Sequence, residues 1–117
     1  MKYRVGAISG AIEQDSKITN IGRKCGLLKS PFDIEIIDIR DVPLINVDMF
    51  NHQLPSSVQY IRDKVHTLDG LIFVVPEFFG KVSPAFKNIY DWLSYSPNAE
   101  HPSPIRGMPA CMISVGG

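Results

Sequence analysis

A chain of 117 residues, 44% hydrophobic and 21% charged, suits one globular domain spanning residues 1–117 and excludes a disordered tail or fibrous repeat. Twelve Lys and Arg balance twelve Asp and Glu, so the basic surplus expected of a nucleic-acid binder is missing. No apolar run approaches the length of a membrane span, and Cys25 and Cys111 are too few for a disulfide framework; both predict a reduced, cytoplasmic protein without a membrane partner.

Residues 4–9 (RVGAIS) are short, apolar and partly β-branched, and they end at a Ser-Gly turn: a buried first strand. Over 16–29, Ile18, Ile21, Cys25 and Leu28 recur at spacings of three and four, which predicts an amphipathic helix. Residues 33–39 (DIEIIDI) form a second strand, followed by a polar, Pro-punctuated connection to residue 55. Ser56 or Ser57 is then expected to cap a helix whose apolar face is Val58, Ile61, Val65 and Leu68. Residues 71–75 (LIFVV) are the most apolar strand and belong at the sheet centre. A third helix covers 84–93, with Pro84 in its first turn, where a missing N–H is harmless. Four prolines make 96–109 an irregular loop, and 108–115 is a fourth strand, with Cys111 in the core.

Alternating strands and helices predict an α/β fold: a doubly wound parallel sheet with right-handed crossovers and strand order 2-1-3-4. In such sheets ligands bind beyond the carboxyl ends of the strands, where strand order reverses. Residues 9–16, 76–83 and 114–117 occupy that edge. No helix follows the fourth strand, so the final βα unit of such a fold is expected to be missing and the strand to need cover.

The run at 76–94, PEFFGKVSPAFKNIYDWLS, resembles the signature of the NAD(P)H-dependent FMN reductase family, whose flavodoxin-like members include quinone, azo and chromate reductases. Pro76, Glu77, Gly80, Lys87, Asn88, Asp91, Trp92, Leu93 and Ser94 match that signature. Phe78, Phe79 and Phe86 stand where the family has Tyr, Asn and Leu. IDIRDVPL at 37–44 and ISVGG at 113–117 are similar to the family's second strand with its turn and its fourth strand with its glycine loop. The phosphate loop departs: Ser16 matches, but Ala11 lacks the family's hydroxyl and Glu13 replaces its Arg.

The resemblance implies FMN as cofactor, NAD(P)H as co-substrate and a small-molecule electron acceptor such as a flavin or quinone. Ser9, Gly10, Ala11 and Ser16 would receive the phosphate, with backbone N–H groups at a helix amino terminus. Pro76, Glu77, Phe78, Phe79, Gly80, Ser114, Gly116 and Gly117 would receive the flavin ring. Phe78 and Phe79 either stack on it or cap the core beneath the third helix. The flavin does the difficult chemistry, so no catalytic side chain is assigned. His52, His66 and His101 share no ligand spacing, so no metal site is assigned either.

Reversing the charge at position 13 lowers the expected FMN affinity by about two to four orders of magnitude, softened by screening and by Lys17. A second reading therefore stands beside the first: a non-catalytic relative that has lost the cofactor and serves as a binding or regulatory subunit. Relatives commonly oligomerise, and a bare fourth strand favours a homodimer or larger assembly here.

Overall fold

A computed structural model describes residues 2–11, 31–46, 48–49, 53–97 and 99–115. The elements in chain order are β1 (Tyr3–Ser9), β2 (Phe32–Ile37), α1 (Ser56–His66), β3 (Gly70–Phe78), β4 (Lys81–Val82), α2 (Pro84–Ser94) and β5 (Ala110–Val115). The helix expected over 16–29 lies outside the described residues.

β1 pairs in parallel with β2 on one side and β3 on the other, and β5 pairs in parallel with the far side of β3. The four parallel strands thus follow the expected order, with β5 as the fourth, as in flavodoxin-like proteins. β4 is a two-residue addition that runs antiparallel to the end of β3. β3 therefore reaches beyond the expected 71–75, carrying Pro76 in register with Val115. The ladder with β1 has ended by then, at Ser9↔Val74, and the absent proline N–H is tolerated outside a two-sided ladder.

Alternation along the strands sends Ile8, Ile37, Leu71, Phe73 and Val75 to one face, where both helices cover them. α1 contributes Val58, Ile61 and Val65; α2 contributes Phe86, Ile89, Trp92 and Leu93. Phe73 and Phe86 meet edge-on, with centroids 5.3 Å apart and planes at 83°.

Local polar bonds fix the connections around this core. Trp92 Nε1 and Asn88 Nδ2 both donate to Pro43 O, at 2.8 and 2.9 Å, and Asn88 Oδ1 accepts from Ile45 N at 2.9 Å. These two signature residues are fold determinants: they pin the polar connection after β2 onto α2.

Two expectations need correction, and one buried charge was not foreseen. α1 has no side-chain cap: Pro55 occupies the N-cap position and Ser56 is already helical. Cys111 is exposed rather than in the core, because among the described residues β5 pairs only with β3 and is covered far less than the central strand. Arg62 reads as a polar-face residue yet is only 3% exposed. Its guanidinium donates to Trp92 O and Tyr95 O, each at 2.7 Å, and to Pro102 O at 3.1 Å. It thereby caps the carboxyl end of α2 and ties the Pro-rich loop to it. Burial pushes its pKa below the ordinary arginine value. No described helix is long and apolar enough to cross a membrane.

Candidate functional site

β1 and β3 deliver their carboxyl ends side by side. Strand order reverses between them, which is where such sheets hold a ligand crevice, here between Ser9–Ala11 and the β3–β4 hairpin. Gly10 N donates to Val74 O at 2.8 Å, which continues the sheet one residue past β1. Ser9 Oγ accepts from Ala11 N at 3.2 Å and donates to Ala11 O at 3.5 Å, closing a small side-chain turn. Ala11 is buried beside Val74 and Ile72.

Gly10 has no room for a side chain. A Cβ there would meet Ser83 Oγ at 2.8 Å, Phe86 Cβ at 3.0 Å and Pro76 Cδ at 3.1 Å. Ser83 explains the crowding. Its Oγ donates to Gly10 O at 2.8 Å and accepts from Phe86 N at 3.2 Å, while the residue itself is 1% exposed. One buried hydroxyl thus caps α2 and holds the loop after β1 against the foot of the hairpin. Sequence reasoning missed Ser83, although Ser followed by Pro at the start of an apolar-periodic run is a signal for a capped helix.

The hairpin rises from the other side. Glu77 pairs with Val82 and Phe78 with Lys81. Phe79 and Gly80 between them have φ of 53° and 76°. Left-handed φ at both central residues defines the tight hairpin turn that Asn-Gly suits best. A bulky residue at the first of these positions costs on the order of 1–2 kcal/mol. Phe79 is 99% exposed, so it does not cap the core. Glu77 and Gly80 are exposed as well. Ser114 lies opposite Val75 on β5, also exposed.

The expected residues therefore separate. Gly10, Pro76 and the hairpin converge on the crevice, with Ser9 and Ala11 in its wall and Ser114 on the neighbouring strand. Ser16, Gly116, Gly117 and Glu13 lie outside the described residues. The N–H groups of Gly10 and Ala11 are already bonded within the protein, so the phosphate donors would have to come from residues after 11. An apolar wall with a glycine-tight floor and an exposed hairpin fits the ring end of a flavin site.

The family model for NADPH-dependent FMN reductase matches residues 3–117. The chain belongs to the NADPH-dependent FMN reductase family. An NADPH:quinone oxidoreductase of Arabidopsis thaliana is 36% identical over 97% of this chain and 58% of its own length. An NAD(P)H-dependent FMN reductase of Pseudomonas aeruginosa is 30% identical, over 96% and 59% respectively. The solved structure of a flavoenzyme NAD(P)H:(acceptor) oxidoreductase from Paracoccus denitrificans superposes with a TM-score of 0.79 at 22% identity, covering 96% of this chain and 60% of that one. This chain thus spans about three-fifths of the length of these relatives.

Proposed function

We propose that this chain binds FMN in the crevice between Ser9–Ala11 and the β3–β4 hairpin, and passes reducing equivalents from NAD(P)H to a quinone or similar small acceptor. Bound FMN would supply hydride chemistry. The overall change balances as NAD(P)H, one proton and a quinone giving NAD(P)+ and a hydroquinone, with two electrons moved. The observation that carries the reading is the junction at Ser83, which fastens the loop after β1 to the hairpin foot in a member of this family.

The chain's own residues bind and orient. The backbone of Pro76–Gly80 and Ser114 would face the edge of the flavin ring, while the buried wall at Ala11 and Val74 keeps water from its rear. Ser9, Gly10 and Ala11 would lead the chain into the phosphate segment, in which Ser16 stands, and Gly116 and Gly117 would close the far rim. Assembly as a homodimer or larger oligomer belongs to the same proposal. The test is the flavin absorption of purified protein before and after FMN addition, followed by NAD(P)H oxidation with a quinone. Saturable FMN binding with quinone-dependent NAD(P)H oxidation is expected. Protein that takes up no FMN at millimolar concentration would instead be a relative without cofactor.

A further inference from the structure

Phe79 is unfavourable twice over within its own chain. Its φ of 53°, followed by 76° at Gly80, places it where bulky residues are rare. Its ring, 99% exposed, recovers nothing by burial. A single exposed phenylalanine on a surface is ordinary, but one that also holds a left-handed backbone is not. Such outliers gather at ligand-binding positions, where a contact outside the chain offsets the strain.

The location narrows that contact. Both feet of the hairpin stand on the crevice: Pro76 Cδ lies 3.1 Å from where a Gly10 Cβ would be, and Ser83 Oγ holds Gly10 O at 2.8 Å. The tip is three residues beyond Pro76, a reach of about 10 Å at roughly 3.3 Å per residue. Planar groups in contact stack at about 3.5 Å, so a ring about 10 Å from the hairpin foot is not confined to the first bound layer.

We propose that Phe79 is a specificity-determining residue on the acceptor side: its ring stacks on a planar aromatic acceptor of the quinone class docked over the crevice. The inference rests on the reading that cofactor and acceptor meet there, and it adds which acceptors are preferred and why. A planar quinone gains the face of the ring; a compact inorganic acceptor gains nothing from it.

Phe79→Asn restores the residue the turn suits and removes the ring, and Phe79→Tyr keeps the ring. Thermal unfolding, FMN titration, equilibrium dialysis of 1,4-naphthoquinone against the FMN-loaded oxidised protein, and steady-state KM for naphthoquinone and ferricyanide would be measured for both variants and the wild type. Phe79→Asn is expected to raise the melting temperature by about 3–6 °C. It is expected to weaken naphthoquinone binding about 3- to 10-fold, and to raise the ratio of the naphthoquinone KM to the ferricyanide KM by the same factor. Phe79→Tyr retains the quinone preference. An unchanged naphthoquinone affinity, or equal losses with both acceptors, overturns the proposal. Weakened FMN binding with unaltered quinone binding also overturns it, by assigning the ring to the cofactor. Wild-type protein that binds no FMN overturns the function proposed above and this inference together, an outcome distinct from either of the others.

Discussion

At Ser83 a single hydroxyl serves two neighbours that are far apart in sequence, the amide of Phe86 and the carbonyl of Gly10. Removing it leaves both groups buried without a partner, at about 1–3 kcal/mol. Ser83→Ala is therefore expected to lower stability by that amount in urea unfolding, and to weaken FMN binding at least threefold, because the loop after β1 loses its anchor. Ser83→Thr keeps the oxygen and should recover most of both; a variant that loses stability alone would make Ser83 a helix cap and nothing more. Position 13 tests the phosphate end. Glu13→Arg is expected to tighten FMN binding by at least tenfold at low salt, with the gain shrinking as salt rises. Fluorescence quenching titrations would measure it, and an unchanged dissociation constant would place the phosphate elsewhere.

The elements show what a sequence reveals and what it hides. The face of α1 was legible because Val58, Ile61 and Val65 repeat at helical spacing and are buried. For α2 the start at Pro84 was legible, while the burial of Ile89, Trp92 and Leu93 emerges only from the packing. The central placement of β3 was legible from its unbroken apolar run, and Leu71, Phe73, Val74 and Val75 are all within 4% of full burial. Cys111 was not legible, because strand composition says nothing about how much of the strand its neighbours cover. The β3–β4 hairpin was not either, since two residues of β4 are too short to show a period. Of the site, Gly10 and Pro76 were readable from the family resemblance, whereas at Ser83 the sequence signals only a helix cap, and its bond to Gly10 O declares itself only through three-dimensional contact. Arg62 shows the same limit: its partners are main-chain carbonyls, which leave no trace in sequence. Arg62→Met keeps the apolar stem but strands those carbonyls. It is expected to cost about 2–3 kcal/mol and to raise hydrogen exchange in 95–105 more than in β1. Equal exchange across the chain would show that the clamp does not hold the loop.

On the scale of the whole molecule, the described elements cover the two sheet faces unequally. One is sealed by α1 and α2. On the other, Tyr3 is 55%, Phe32 46% and Ile36 41% exposed. Tyr3 pairs with Phe32 in register, and the two rings lie 6.1 Å apart at the mouth of a largely apolar groove of about 670 Å³. Apolar surface concentrated in this way favours association. The protein is expected to self-associate with concentration in sedimentation equilibrium, and Phe32→Lys to shift it toward monomer; a wild-type monomer across a hundredfold concentration range would remove the expectation.

The Ser83–Gly10 bond joins positions 73 residues apart, and β1 reaches its β3 partner only across the 65 residues from Val5 to Gly70. A chain emerging from synthesis has its first loop long before it has the residue that shapes that loop. Closure over such distances is entropically slow and comes late in folding. The crevice is then expected to complete itself after the transition state. A ligand bound there cannot speed folding; it can only delay escape from the folded basin. Saturating FMN is accordingly expected to lower the unfolding arm of a denaturant chevron while leaving the refolding arm in place. Stopped-flow fluorescence would read both arms, and a faster refolding arm would mean that the two loops find each other early.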